Sequence, residues 1–412
     1  MINTPAEGSV TTSGLASLAQ PFIVPATIPG PTGTFGFTPR WIDLTTFKNS
    51  NFSPSTLAQN LTVPVTYEWN LNTQYEFIKN WVLEIGYVGS HGIHQEQASG
   101  SIYSDLYNTA PLASAANPIN GQTTNSAANV PDRVPYLGIS PVATISGNQS
   151  GYLYNALQTT VRTQMSHGLQ FQASYTYDRA FDSVPVGINS APYLVWEMTP
   201  NTIYHPQRLV LSYTWNLPFG HPAGLLGKFV EGWSWSGVTT IQDGTPVAVW
   251  DSAAGSVFFG TGGEPANAYA QLCPGMTTAN IVTSGPITSR LGGPYSQNGY
   301  MNLSAFCPLP TLGSTDGSTG YGNYGQGTFL SPGQDNWDMS LAKLFKTGGL
   351  REDATLLFRV EFFNTFNHPQ FEFSQSNDAS NTAADVNGGV FGNITSSSVN
   401  PRLIQLALKY SF

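Results

Sequence analysis

The sequence predicts an all-β fold: an antiparallel up-and-down transmembrane β-barrel wall of about nine to ten strands, with long extracellular loops and short periplasmic turns. Three observations predict it. Charged residues make up 9% of the 412 and aromatics 12%, whereas a soluble domain carries roughly 25% charge. Segments of about ten residues alternate strictly between apolar and polar side chains, which a barrel wall between lipid and water requires. The connections between these segments alternate short and long, as in outer-membrane barrels, whose short turns are periplasmic.

The first strand is Thr66 to Phe77. Tyr67, Trp69, Leu71, Tyr75 and Phe77 share one face, and Glu68, Asn70, Asn72, Gln74 and Glu76 the other. After Ile78-Lys79-Asn80 the pattern resumes with Trp81, Leu83, Ile85 and Tyr87 opposite Glu84 and Gly86, which makes a hairpin. A second hairpin spans Tyr154 to Asp178. It turns at Ser166-His167-Gly168, and its returning arm sets Leu169, Phe171, Ala173, Tyr175 and Tyr177 against Gln170, Gln172, Ser174, Thr176 and Asp178. Arg208 to Leu217 and Trp233 to Gln242 form another pair. Asn336 to Phe345, Ala354 to Phe363 and Pro401 to Phe412 complete nine strands.

The connections run 78 to 80, about 91 to 152, 166 to 168, about 180 to 205, 218 to 232, about 244 to 334, 347 to 352 and 366 to 399. The long ones are rich in Gly, Ser, Asn and Thr, as in Gly313 to Gly327, and are expected to be surface loops with no core of their own. Aromatic placement agrees with a membrane wall, because Trp and Tyr favour the two interfaces. Trp81, Trp215, Trp233, Trp235, Tyr410 and Phe412 fall at the periplasmic strand ends, and Tyr67, Trp69, Tyr87, Tyr175, Tyr177 and Trp337 at the extracellular ends. Aliphatic residues such as Leu83, Leu211, Leu341 and Leu406 lie between. The competing fold, a soluble β-sandwich, is disfavoured by strands longer than the usual five or six residues or so.

Lys+Arg 15 and Asp+Glu 24 give a formal charge of -9, so the basic footprint that nucleic acid needs is missing. No apolar run of about 20 residues is present to form a membrane helix. Met1 to Val10 shows neither a basic n-region nor an apolar h-region, so no signal peptide is expected within this chain.

The chain ends IQLALKYSF, with Phe412, Tyr410, Leu408, Leu406 and Ile404 on one face. This pattern looks like the signal read by the barrel-assembly machinery. The segments TYEWNLNTQYE, NWVLEIGYVGSHGIH, YNALQTTVRTQMSHGLQFQASYTYDRAFD, HPQRLVLSYTWNLPFG, GWSWSGVTTIQDGTPV, NWDMSLAKLF, FRVEFFNTFNHPQF and LIQLALKYSF occur in that order. As an ordered set they resemble the carboxy-terminal barrel portion of TonB-dependent receptors of the Oar-like, acidobacterial type. The resemblance implies part of a barrel of about 22 strands, plugged by a globular domain and driven by the TonB system, in the outer membrane of a Gram-negative-type cell. Residues 66–412 would be the barrel portion and 1–65 a largely irregular extracellular loop remnant. The plug, the TonB box and the remaining strands of the family are not recognised here, so the chain is expected to be a fragment that is not a competent transporter alone. A surface-exposed binding or adhesion β-protein and a nonfunctional truncated remnant are the alternatives.

Eight charged residues, Glu68, Glu76, Glu84, Arg162, Arg208, Arg359, Glu361 and Lys409, fall on the polar, lumen-facing side. They are expected to form cross-strand pairs worth under about 1 kcal/mol each, with plug contact as a second role. Cys273 and Cys307, in the longest loop, are expected to form a disulfide staple in an oxidising compartment. His91 and His94 are too poor a set for a metal, and His205 and His368, each before a proline, fit turn packing better. No nucleophile elbow, Walker loop or zinc-protease motif is present, so neither an enzyme nor a cofactor is expected.

Overall fold

The computed structural model describes residues 27–30, 33–36, 56–95, 105–148, 150–185, 194–198, 204–220, 225–260, 269–292, 299–312, 316–324, 329–347, 354–373 and 384–411. Nine long strands form the central sheet: β1 Val65–Ile78, β2 Trp81–Gln95, β3 Ser150–Ser166, β4 Leu169–Pro185, β5 Gln207–Asn216, β6 Trp233–Gln242, β7 Gln334–Lys346, β8 Thr355–Phe363 and β9 Leu403–Ser411. Each pairs antiparallel with its neighbour in sequence, in the order expected of an up-and-down wall. Among the described residues, β1 and β9 are the edges of this sheet and do not pair with each other.

Register turns the alternation of single strands into two continuous faces. Tyr75, Leu83, Val161, Ala173, Leu211, Thr239 and Trp337 form one transverse row across seven strands. Three residues along, Gly86, Gln158, Thr176, Arg208, Gln242 and Gln334 form a row on the opposite face. A slip of one residue at any pair would carry polar side chains to the apolar face, so the pattern itself fixes the register.

The turns at one end are tight. His167 and Gly168 both take positive φ, 52° and 79°, in the two-residue loop between Ser166 and Leu169. This is the backbone whose twist matches the flanking strands. Asn80, at φ 68°, reverses the chain between β1 and β2. At the opposite end the strands are long. β3 and β4 have 17 residues each, where a tilted transmembrane strand needs about 9–11. A further strand, Leu194–Met198, pairs with Phe181–Pro185 and extends β4 into a hairpin inside a connection expected to be a surface loop. Of residues 1–65, the described parts include a hairpin of Thr27–Gly30 with Gly33–Gly36, and Thr56–Leu57, which pairs parallel with Thr144–Ser146. The rest of that segment lies outside the described residues.

The expectation that the long connections build no core is overturned. Val247, Val249, Trp250, Ile281, Met301 and Phe373 are almost wholly buried in one cluster, which joins the β6–β7 and β8–β9 connections. Val257, Phe258 and Phe259 form a second cluster against Leu112 and Val142 of the β2–β3 connection. The Gly- and Ser-rich stretch is flanked by enough apolar residues to bury, and the loops supply them to one another.

One glycine in the sheet is required by close approach. A Cβ on Gly237, in mid-β6, would stand 2.6 Å from both the Asp338 carbonyl oxygen and the Tyr213 hydroxyl. Gly237→Val is therefore expected to destabilise the wall by about 1–3 kcal/mol, read as a lower unfolding midpoint of the detergent-solubilised protein. Thr240→Val, on the polar face of the same strand, should leave it much closer to wild type.

Candidate functional site

The polar face of the sheet and the cap built from the long loops carry most of the polar and charged side chains singled out from the sequence. The alternation of each strand places all eight predicted charges on this face. Glu76 and Arg162 share a transverse row through Val82, and Arg208 lies beside Thr176 and Gln242. Arg359 and Glu361 face Ala407 and Gln405, and Lys409 faces Leu357. Their partners differ from the cross-strand ion pairs expected. Glu84 Oε1 accepts from Asn72 Nδ2 at 2.7 Å, an amide in place of a cation. Glu76 Oε1 accepts the Asn80 backbone N–H at 2.7 Å and so caps the β1–β2 turn. Arg359 donates to Glu361 at 3.2 Å, two residues along its own strand. Two carboxylates on this face, Asp178 and Asp338, were not singled out from the sequence. Asp338 Oδ1 accepts the Asn364 N–H at 2.8 Å and pins the β8–β9 connection where it leaves the wall.

Above the wall, three connections interlock. Arg133 ends the short helix α1 Val130–Arg133 and is fully buried. Its guanidinium donates to Asn129 Oδ1 at 2.8 Å, the Pro111 carbonyl at 2.6 Å, the Ser126 carbonyl at 3.2 Å and the Val257 carbonyl at 2.6 Å. The last bond ties the β2–β3 connection to the β6–β7 connection. Burial lowers the pKa of this guanidinium, yet from so high a starting value it stays charged. Ser318 Oγ accepts the Ala127 N–H at 2.7 Å and adds a second tie between the same loops.

The β6–β7 and β8–β9 connections meet along Trp250, whose N–H donates to the Ala384 carbonyl and whose carbonyl accepts from Val386, both at 2.9 Å. Asn387 bridges two carboxylates there. Its Nδ2 donates to Asp251 Oδ1 at 2.6 Å, and its backbone N–H donates to Asp385 Oδ1 at 3.0 Å. Burial pushes the Asp251 carboxyl up. Hydrogen bonds from Ala253 and Asn387 pull it partly back, and the charge of Asp385 adds to the rise. Cys273 and Cys307 are bonded to one another, which closes 34 residues of sequence separation, and the strands Gln271–Leu272 and Phe306–Cys307 pair beside the bridge.

The histidines serve the junction between wall and cap. His205 donates through Nδ1 to the Asp243 carbonyl at 2.7 Å and accepts from Gln242 Nε2 at 3.2 Å. His368 Nδ1 accepts from Gln370 Nε2 at 2.9 Å. Among the described residues no cluster of three His, Cys, Asp or Glu is placed to hold a metal ion. Ile404, Leu406, Leu408 and Tyr410 of the expected assembly signal lie on the apolar face of β9, opposite Phe362, Val360, Phe358 and Leu356. Phe412 lies outside the described residues.

Aromatic contacts mark the two rims of the apolar face. At the short-turn rim, Phe77 lies 6.5 Å from Trp81 and Trp81 6.1 Å from Phe171, centroid to centroid. At the long-loop rim, Trp337 lies 5.9 Å from Phe366.

Comparison with known proteins gives a family. The family described as "Outer membrane beta barrel domain" matches residues 2–405. Two solved structures are similar at low identity. The outer membrane transporter YddB from Escherichia coli is 9% identical over 87% of this chain and 34% of its own length, at a TM-score of 0.39. The ferric citrate transporter FecA in its unliganded form is 13% identical over 84% of this chain and 30% of its own, at a TM-score of 0.33. The chain thus spans about a third of each. No curated protein matches it.

Two outcomes follow for the cap. Arg133→Ala removes hydrogen bonds from a charged donor and strands buried carbonyls, at a cost of about 3 kcal/mol or more. Limited proteolysis should then cut the β2–β3 connection much faster than in wild type, with the wall intact. Because folding raises the Asp251 carboxyl's pKa, the destabilisation from burying its charge is largest at neutral pH and is relieved as pH falls through the folded value. Hydrogen exchange at Ala253 and Val386 should accordingly slow, relative to intrinsic rates, as pH drops from 7 toward that value. Asp251→Asn should flatten the trend.

Proposed function

We propose that this chain, which belongs to the outer membrane β-barrel domain family, is part of the wall and extracellular cap of a TonB-dependent receptor that takes up a solute through a plugged barrel. The protein is located in the outer membrane, and its family is defined by a barrel and not by a reaction. In this reading the apolar face meets lipid, the polar face lines the lumen, the short turns are periplasmic and the cap is extracellular. The eight lumen-facing charges would meet water and a plug domain, and Ile404 to Phe412 would be the segment read by the barrel-assembly machinery. The Oar-like type belongs to the same proposal and rests on the ordered motifs from Thr66 to Phe412.

The observation that carries the reading is a wall with one apolar and one polar face whose two edges have no strand partner among the described residues. In lipid each unpaired backbone group costs several kcal/mol, so a wall of this kind needs further strands to close it. A partial wall suits a large plugged barrel, where the strands missing from one segment are supplied by another. A second reading, surface binding or adhesion by the cap itself, draws on the cap's own buried cores and on Tyr136 and Leu303, which stand 58% and 49% exposed.

The chain produced in a Gram-negative host is expected to sediment with outer-membrane vesicles and to resist an alkaline carbonate wash. In the assembled receptor, solute uptake should stop when the inner-membrane TonB system is deleted. Energised uptake by these 412 residues with no complementary strands would refute the proposal. Release into detergent-free buffer as a stable monomer would favour the adhesion reading.

A further inference from the structure

The connection from β5 to β6 carries a helix, α2 Leu225–Val230. Two side chains hold the carboxy-terminal end of α2, and both come from the apolar face of the wall. Trp233 donates its indole N–H to the Phe229 carbonyl at 2.8 Å, and Lys343 Nζ donates to the Glu231 carbonyl. Trp233 and Lys343 are register partners on adjacent strands, in line with the apolar pair Trp235 and Leu341. The helix end is therefore folded over the outside of the wall and not beneath its polar face.

This placement accounts for a lysine where the alternation calls for an apolar residue. Lys343 is 1% exposed, with its ammonium 4.9 Å from the Phe345 ring centroid and 5.6 Å from that of Trp233. A bare lysine on a lipid-facing strand is costly. Here the two rings, the Glu231 carbonyl and the nearby Glu231 carboxylate receive it. Gly232, at φ 73°, makes the reversal that returns the chain from the helix into β6. On the far side of this arrangement Phe229 stands 67% exposed, and Phe219, earlier in the same connection, 46%.

We infer that the β5–β6 connection is an interfacial anchor, with Phe229 and Phe219 inserted among the phospholipids of the periplasmic leaflet. The inference rests on the orientation proposed above. Phospholipid is the occupant because the exposed rings continue the lipid-facing surface: α2 is bonded to Trp233, which sits beside the cross-strand pair Trp215 and Trp235 in the aromatic belt of that rim. Aromatic side chains at the headgroup boundary are the usual membrane anchors. The buried Lys343 makes the tether, so the rings are held at one depth relative to the wall.

The test uses the full chain in outer-membrane vesicles, with a nitroxide on Phe229→Cys. The native cysteines are bonded to each other, so the label is unique. Collision with oxygen, which concentrates in the bilayer, is compared with collision with a water-soluble nickel chelate. Oxygen is expected to exceed nickel several-fold at 229 and at 219 labelled in the same way, as at Ile85→Cys in the middle of the apolar face, with the reverse at Asn216→Cys on the polar face. Nickel dominance at 229 and 219, or exclusion of both reagents by a protein covering them, would overturn the inference while Ile85 still reports lipid. Nickel dominance at Ile85 as well would overturn the orientation itself, and the anchor with it.

Discussion

Every feature of this wall answers to one constraint: in hydrocarbon, a backbone N–H or C=O has no water to bond and must find a partner in protein. Nine strands meet that demand by pairing each with its neighbour in sequence, the arrangement that closes most easily through tight turns. Once the strands are paired the faces are no longer independent. Leu71, Tyr87, Leu157 and Tyr177 stand in one row across four strands because the hydrogen-bond register places them there. Lipid exposure then requires that all four be apolar. Gly237 follows from the same packing, since a strand crowded by the Asp338 carbonyl and the Tyr213 ring on its neighbours has no space for a Cβ.

The cap obeys a different physics, that of a small water-soluble domain. Its described strands are two or three residues long, so its order comes largely from buried side chains: Trp250 stacked on Tyr269 at 5.1 Å, Phe258 on Tyr321 at 5.0 Å, and Arg133 surrounded by carbonyls. Arg133 is the more telling choice. A guanidinium offers five donors in a rigid fork, which suits it to carbonyls that approach from three directions where loops from distant parts of the chain converge. Asn125 works in the same manner on a smaller scale, with both ends of its amide bonded to the Ala113 backbone.

These two regimes explain what the sequence made legible. The wall could be read because period two is a strong, local signal: all nine long strands, their turns and the face of each of the eight charges follow from alternation alone. The cap could not, because its apolar residues have no period. Val247 to Trp250 is a short apolar run between polar stretches, and Phe258 stands far in sequence from the Leu112 and Val142 that its cluster packs against. Lys343 was missed for the opposite reason. Alternation assigns it to the apolar face, and only the Glu231 carbonyl of a neighbouring turn shows how a cation is accommodated there. Asp338 is not legible in the sequence because a carboxylate's use as a loop clasp depends on where a distant amide, here that of Asn364, arrives.

The direction of the strands carries the synthesis one step further. β1 enters the tight turn at Asn80 from the long-loop end, and β9 likewise runs from the long-loop end toward the tight-turn end, as an odd number of antiparallel strands requires. Joining β1 directly to β9, within one copy or between two, would make a parallel seam, which the antiparallel rule of bacterial barrels disfavours. A strand that satisfies either edge must run the other way, from the tight-turn end upward. A set of strands that joined the two edges would therefore begin and end on upward strands and be odd in number, which would make the total even. That condition excludes a second copy of this nine-strand sheet as the complement, since its own edges both run downward. Nine strands of the opposite sense, or any other odd number, would satisfy it, so strand direction sets the parity and the polarity of a complement but not its length.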